Sequence, residues 1–574
     1  MNLLSVVASL IEGQFAQFYN QLMPMMIQIL NNVPMTNMTQ MTLRSRTIEA
    51  MGFMIEAVQE QKDTFKDSVS EIAKMLVSLL TSGLTNDDPQ SLSIKETLTK
   101  IASFLKEDFH AYMPLLLNNL VNDAKLDIDI KLSSADDEKT ESAASFTFKM
   151  KGLEGNQRLS MNTSALESKI AAFKLFNMIS ESMGTAFAPY VEPLLPIMVE
   201  NINYTYSKGV RKAAMKTLNN MLTAVGEPQN VTLFMSLYNN FITMITKSLE
   251  REDLKELKTV LKHYWMMIKN LNDSNKHNKN YFTEEQLNTL GSHLNKVLTL
   301  VSNAKKNTLA ALGNKNIEMD EEDEETFKET LAKISAASTY VMEISGQLVL
   351  NFKEAVANMV KSNFLNFFAL NLNSYKQLSE SELLDATCFF CDFVEYSYHT
   401  DVPMMTELNN KFLEIFNSTD SMDVKQTLSY GMGVFALYIP AANYSAALPN
   451  VTKALNSMIS GAEAFSEDNV VATESALGAL GKLIYTQREN SIITDAVVNT
   501  FLSHLPLTHE EEEAQKTHKL FFEQVLANNP NLMSEGTKAN VMTAIAKIRE
   551  AAVHNENDLS LVDEEGMVLL NKLQ

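Results

Sequence analysis

The stretch Gly209-Val-Arg-Lys-Ala-Ala-Met-Lys-Thr-Leu-Asn-Asn-Met-Leu-Thr-Ala-Val-Gly226 carries the fold in its spacing. Val210, Ala213, Ala214, Leu218, Met221, Leu222 and Val225 recur three and four residues apart, which gathers them into one apolar stripe of a helix. Asp423–Tyr438 repeats the pattern with Val424, Leu428, Gly431, Met432 and Phe435. Asn469–Tyr485 does so less regularly, with Leu477, Leu480, Leu483 and Ile484. Strand-type alternation is rare and no Gly-rich strand-to-helix turn occurs. The chain reads as all-α.

These helices belong to a recurring unit. One half is an aromatic, a proline and an apolar run: Phe18-Tyr19 with Pro24-Met-Met-Ile27, Phe109 and Tyr112 with Pro114-Leu-Leu116, Phe187 and Tyr190 with Pro193-Leu-Leu195. Looser copies surround Pro449 and Pro506. The other half opens on a small, acidic or amide residue, as in Gly209-Val-Arg-Lys, Asp423-Val-Lys-Gln and Asn469-Val-Val-Ala. Asp and Asn suit an N-cap, where the side chain accepts a free backbone N–H, and Pro suits a first turn. Second-helix openings are expected near residues 44, 93, 166, 210, 253, 331, 382, 423, 471 and 513. Most gaps are about 40 to 50 residues, the period of HEAT and armadillo arrays. Two longer gaps hold insertions, an inserted polar loop at 127–155 and an acidic loop at 303–327. The expectation is a single HEAT-repeat α-solenoid over residues 1–574, about eleven antiparallel helix pairs in a right-handed superhelix, each pair burying its stripe on its neighbours.

Composition limits function before any motif does. The chain has 574 residues, 45% hydrophobic and 21% charged, with 48 Lys+Arg against 70 Asp+Glu and a formal charge of −22. That apolar content excludes wholesale disorder, and the acidity argues against nucleic-acid binding through a broad basic footprint. Basic partners would be drawn to it instead. Two cysteines exclude a disulfide scaffold. Cys388 and Cys391 form a Cys-x-x-Cys inside the apolar helix Asp385-Ala-Thr-Cys-Phe-Phe-Cys-Asp-Phe-Val-Glu395, with no second pair to complete a zinc site, and are expected to be buried core residues. The N-terminus lacks the basic region of a signal peptide. The uncharged stretches Gly13–Leu43 and Gln426–Thr452 are interrupted by Gln, Asn and Pro, so neither reads as a membrane span.

Enzyme signatures are missing. There is no His-Glu-x-x-His, phosphate-loop lysine motif, Gly-x-Ser-x-Gly or kinase set. Gly478-Ala-Leu-Gly481-Lys482 lies mid-helix, where its glycines are expected to permit close helix packing. The nine histidines are scattered, the closest cluster being His504 and His509 beside Glu510–Glu513. Met23-Pro-Met-Met26 and Met404-Met405 read as core filler. No catalytic residue, metal ligand or cofactor is implied.

Against that background the residues resemble a known family. Phe15, Phe18-Tyr19 and Leu22-Met-Pro24, followed by Leu43-Arg-Ser-Arg-Thr-Ile-Glu49, are similar to the middle of importin-beta (karyopherin-beta) receptors, nearest the importin five (Ran-binding protein five) branch. Asp87-Asp-Pro-Gln90, Gly209-Val-Arg-Lys-Ala-Ala214, Tyr430-Gly-Met-Gly-Val434, Asn469-Val-Val-Ala-Thr-Glu474, Ala479-Leu-Gly-Lys482 and Leu505-Pro-Leu507 with Glu511-Glu-Glu-Ala514 follow in the same order. The resemblance implies a nuclear transport receptor, or its C-terminal half, acting in import. It implies three partners: basic cargo proteins with nuclear localisation signals, Phe-Gly nucleoporins and Ran-GTP. It implies residence in cytoplasm, nucleus and nuclear pore, without direct nucleic-acid contact or membrane insertion. Met1-Asn-Leu-Leu matches partway through a helix pair, so the chain is expected to be a fragment, a truncated reading of its gene or a short relative.

Candidate partner contacts follow from charge and position. They are the acidic run Asp320, Glu321, Glu322, Asp323, Glu324 and Glu325; Glu49 and Glu56, seven residues apart on one helix face; Asp392 and Glu395 in the Cys-x-x-Cys helix; and Glu474. A competing reading is a HEAT-repeat scaffold for protein-complex assembly without transport activity.

Overall fold

The structure is a computed structural model that describes residues 2–573 apart from 86, 127–129, 135–142, 150–155, 275–279, 313–320, 488–490, 555, 556 and 558. It divides into two compact units, Met1–Ser248 with Thr259–Lys276, and Leu249–Lys258 with His277–Gln574. Within each unit helices stack in two layers, first helices on first and second on second.

In the first unit the second helices Met38–Ala57, Pro89–Leu105, Thr163–Met183 and Lys208–Val225 pack side by side in that order. The first helices Ala16–Asn32, Lys62–Thr81, Met113–Ala124 and Val191–Asn201 cover them from one side. Asn2–Ile11 packs on Met38–Ala57 as a second helix does. In the second unit the layer runs Glu321–Phe352, Glu380–Asp392, Met422–Tyr438, Val470–Thr486, Glu511–Leu526 and Glu564–Lys572. The expected openings fall a few residues inside the helices they mark, except near 253, just before the helix Leu254–Ser274, and near 331, where the helix already begins at Glu321.

The stripe drives the stacking. Val210, Ala213, Ala214, Leu218, Met221 and Leu222 are all buried, and each large aliphatic among them contributes on the order of 1.5–3 kcal/mol. The caps differ from expectation. Ser207, not Gly209, closes the start of Lys208–Val225 by accepting the Val210 N–H at 3.3 Å. Ser421, not Asp423, does the same for Val424 at 3.2 Å. A cap precedes the helix and needs extended backbone, so it sits three residues ahead of Val210 and of Val424.

The aromatic–proline half of the unit is a 3-10 turn feeding a helix. Lys106–Tyr112 leads into Met113–Ala124 and Gly184–Tyr190 into Val191–Asn201. Both turns open with positive φ, 52° at Lys106 and 52° at Gly184. Phe109, Tyr112 and Phe187 are buried. The Tyr112 hydroxyl donates to the Ser70 carbonyl at 3.0 Å, tying the turn to the preceding repeat.

Two expected loops are corrected. Within and just after the expected polar loop at 127–155, strands Ile130–Ser134, Ala143–Lys149 and Asn156–Asn162 form an antiparallel sheet in the order first, third, second, while 127–129, 135–142 and 150–155 lie outside the described residues. Leu159 pairs with both Leu132 and Phe146. The alternation Ser145-Phe-Thr-Phe-Lys is strand-like, with polar and aromatic residues taking turns. The expected acidic loop at 303–327 is shortened from both sides: helix Glu284–Leu312 continues through Asn303 and the next begins at Glu321, while 313–320 lie outside the described residues. A run of carboxylates suits the positive end of a helix dipole, so acidity there starts a helix rather than breaking one.

Met23, Met26 and Met405 are buried, whereas Met25 is exposed. The glycines within helices mark close approach. A Cβ on Gly433 would lie 2.9 Å from the Ala479 Cα on the neighbouring second helix, and one on Gly478 would strike Glu513 and Thr517. Because the Gly433 obstacle is backbone, Gly433→Ala should destabilise the second unit by about 1–3 kcal/mol, seen as a lower denaturant midpoint. Gly209→Ala, with only the Ser207 hydroxyl at 3.4 Å, should instead stabilise by roughly 0.5–1 kcal/mol.

His518 locks the last repeat. Its Nε2 accepts the Leu507 N–H at 3.1 Å and its Nδ1 lies 2.9 Å from the Leu561 carbonyl, so the ring must be neutral with hydrogen on Nδ1. Burial pulls its pKa from 6.5 down to about 4, partly opposed by the Leu561 carbonyl. Below pH 6.5 the unfolded chain takes a proton that the folded chain refuses. Stability is therefore full above pH 6.5 and falls towards pH 4, by about 3 kcal/mol in all. Unfolding curves across this range should show that slope, and His518→Phe should flatten it while lowering the midpoint at pH 7.

Candidate functional site

In the second unit one helix carries two stripes. From Glu380–Asp392 into the π turn Phe393–Ser397, the residues Leu383, Ala386, Phe390, Phe393 and Val394 point into the core. Asp385, Cys388, Asp392, Glu395 and Tyr396 follow the opposite stripe at three- and four-residue spacing. Asp385, Cys388, Asp392 and Tyr396 of that stripe border a groove of about 480 Å³. Glu343 and Gly346 on Glu321–Phe352 face it from one side, Gln426, Thr427 and Tyr430 on Met422–Tyr438 from another, and Glu512 and Lys516 on Glu511–Leu526 close the end.

The groove is acidic along Glu343, Asp385 and Asp392 and closely bonded where Lys516 enters it. Tyr430 donates to the Glu395 carboxylate at 2.5 Å. The Lys516 ammonium donates to the hydroxyls of Tyr430 at 2.8 Å and Tyr396 at 3.0 Å, and lies 2.9 Å from Glu512 and 4.0 Å from Glu395. Beneath it the buried Lys482 and Glu513 pair at 3.7 Å, with the Lys482 ammonium 4.4 Å from the centre of the Tyr430 ring. Among the described residues no cation stands within ion-pair distance of Asp385, Asp392 or Glu343.

This arrangement moves the acidities. Loss of bulk water, then Glu395, pushes the Asp392 carboxyl from 3.8 up to about 7; Lys516 pulls the other way, and Glu512 and Glu343 add to the rise. Burial, then Glu382 and Glu343, raises Asp385 from 3.8 to about 6. Burial works against the charge of Lys516, but Glu395 and Tyr396 outweigh it and hold the ammonium protonated. Near neutral pH the groove is thus a set of carboxylates that lack enough positive charge.

The sequence-derived candidates scatter. Glu49 and Glu56 lie in the first unit, each beside a cation of its own: Arg46 is 2.6 Å from Glu49 and Lys100 is 2.5 Å from Glu56. Asp320 lies outside the described residues. Glu321, Glu322, Asp323, Glu324 and Glu325 open the helix Glu321–Phe352, with Glu325 exposed. Glu474 is buried, and its carboxylate accepts the backbone N–H groups of Thr508 at 2.7 Å, His509 at 3.0 Å and Glu510 at 3.3 Å. Its role is to hold the approach to Glu511–Leu526, and it is not a partner contact. Of the eleven residues only Asp392 lines the groove, and Glu395 stands behind it, bonded to Tyr430 in the groove wall. Cysteine burial is corrected for one of two residues: Cys391 is buried, but Cys388 opens into the groove. Its thiol is accessible yet walled by protein, which together with Asp392 pushes it up to about 11.

Glu343, Asp385, Tyr396, Tyr430 and Lys516 were missed. Asp385 had a signal, since it stands seven residues before Asp392. Lys516 had none, because 120 residues separate it from Tyr396.

Comparison with known proteins gives one consistent answer. No family model matches the chain. It is 22% identical to importin subunit beta-3 of Saccharomyces cerevisiae over 580 residues, covering 100% of this chain and 50% of that protein. A probable importin-5 homolog of Dictyostelium discoideum is 26% identical over 218 residues, 38% of this chain and 18% of that protein. Among solved structures, Kap121p matches with a TM-score of 0.67 at 17% identity, over 99% of this chain and 50% of that one. Kap121p bound to RanGTP matches with a TM-score of 0.68 at 18% identity, over 99% and 49%. The shared fold is a HEAT-repeat α-solenoid, and the importin-beta resemblance holds along the whole chain. The chain spans half the length of its yeast relative.

Asp392 is held at a cost to stability. Its folded pKa stands above the unfolded 3.8, so the folded chain binds the extra proton and stability falls as pH rises from 3.8 to about 7. Asp392→Asn should therefore raise the unfolding free energy at pH 8 by roughly 4 kcal/mol. The gain should shrink below pH 7 and vanish near pH 4; a pH-independent effect would contradict this account.

Proposed function

We propose that this chain, related to the importin-beta family along its whole length, works as a nuclear transport receptor or the C-terminal half of one. In this reading it engages basic localisation segments of cargo, Phe-Gly nucleoporins and Ran-GTP, and passes between cytoplasm and nucleus through the pore. It acts by binding alone, with no reaction of its own.

The observation that carries the reading is the full-length similarity to importin subunit beta-3. The chemistry agrees with it. A formal charge of −22 attracts basic segments at long range. The groove beside Asp385 and Asp392 supplies carboxylates still short of cations at close range. Charge-assisted hydrogen bonds to lysine or arginine are the strong kind. Nucleoporin contact would use apolar clefts between first helices, where Phe18, Met25 and Leu115 are exposed. Ran-GTP would act through many small helix shifts, the way a stacked array changes pitch.

The test is capture of the purified chain on immobilised Ran loaded with GTP or GDP, and on a Phe-Gly repeat segment. Retention on the GTP form and on Phe-Gly repeats, but not on the GDP form, is the expected result. Retention on neither would favour the assembly scaffold. Binding of a basic peptide should weaken steeply between 50 and 300 mM salt, on the order of tenfold, because exposed charges contribute most of the attraction.

A further inference from the structure

In a stacked array each repeat ordinarily touches only its neighbours, but Lys516 breaks this rule. It stands on Glu511–Leu526, and two second helices separate that helix from Glu380–Asp392, whose continuation carries Tyr396. The ammonium nevertheless bonds to Tyr396 at 3.0 Å and Tyr430 at 2.8 Å, and its centre-to-ring distances are 5.7 Å and 5.2 Å. Two phenol oxygens and the Glu512 carboxylate at 2.9 Å occupy its three hydrogens. A lysine side chain is thus already held by two phenol oxygens and flanking carboxylates at the end of an acidic groove.

From this geometry we propose that the cage of Tyr396, Tyr430 and Glu395 is a recognition site for one lysine or arginine side chain of a basic segment, and that Lys516 fills it in the free chain as an internal competitor. The proposal rests on the reading that the groove takes basic segments. A segment entering past Asp385 meets carboxylates without cations of their own, then reaches the cage. Exchange there replaces one cation by another, so the cage contacts are conserved. The displaced Lys516 keeps Glu512, one turn earlier on its own helix and exposed to water. What the exchange gains is the neutralisation of Asp385 and Asp392 by the rest of the segment. What it removes is the link that ties Glu511–Leu526 to helices two and three places back in the stack, so occupancy of the cage also loosens the curvature of the second unit.

The experiment uses the full chain and a fluorescein-labelled deca-lysine peptide, read by anisotropy at 100 mM salt. Lys516→Met keeps the aliphatic stem and removes the charge, and Lys516→Gln is a second variant should the first fold poorly. Lys519→Met, on the same helix but paired with Glu565, removes the same charge away from the cage. Both Lys516 variants should bind the peptide about tenfold more tightly than the natural chain, and Lys519→Met less than about twofold, since an exposed charge contributes little. Amide exchange at 393–398 should rise in the Lys516 variants, and in the natural chain when deca-lysine is added. Equal binding by the natural chain and both Lys516 variants overturns the competitor while leaving the basic groove intact. No binding by any of them overturns both. A gain in Lys519→Met matching that of the Lys516 variants reduces the effect to net charge and also overturns the proposal.

Discussion

The structure depends on one constraint: a second helix has an apolar stripe that only the adjacent repeats can cover. Lys208–Val225 has Val210, Leu218 and Met221 at zero exposure although no single partner encloses them. Thr163–Met183 lies on one side and the first helix Val191–Asn201 on another. Removal of either neighbour would return that area to water at about 25 cal/mol per Å². The layers within each unit, the glycine contacts and the turns beginning at Lys106 and Gly184 are consequences of this requirement. Gly433 lets two second helices approach until Cβ-to-backbone distances would fall below van der Waals contact.

That constraint also creates the groove. A helix covered by its neighbours on one stripe leaves the other to be polar, and helices stacked side by side place their polar stripes together. Glu380–Asp392 shows both halves of this logic, with Phe390 at zero exposure and Asp385 on the other side. Carboxylates set so close repel one another and lose water, and neither effect would persist by chance where a neutral residue packs as well. The charge is compensated beside Glu395 and Glu513 by Lys516 and Lys482 and left uncompensated at Asp385 and Asp392. An acidic helical array with a polarised groove of this kind has the electrostatics of a receptor for basic chains.

Some of this was legible in the chain alone. Helical periodicity of 3.6, the aromatic–proline unit and its period of about 40 to 50 residues are local or near-local signals. They located the second helices and the packing role of Gly478 and Gly481. Errors came where a local signal has two structural meanings. The run Asp320–Glu325 could end a helix or begin one; Ser145-Phe-Thr-Phe-Lys could be a polar insertion or a strand. Glu474 looked like a surface charge and is a buried acceptor for three backbone N–H groups, since its helix packs on all sides. Cys388 and Cys391 are three residues apart, yet one opens into the groove and the other is buried, a distinction that depends on what packs against each face.

The sequence by itself determined the helices, the repeat, the net charge and the resemblance to a receptor family. These depend on the order of residue types along the chain, and hydrophobic burial reads that order with little regard for detail. Only the tertiary structure decided which carboxylates share a groove and which cation closes it. Lys516 meets Tyr396 across 120 residues because two intervening second helices have a particular width and tilt. That geometry is a sum over many packing contacts, and no local pattern encodes it.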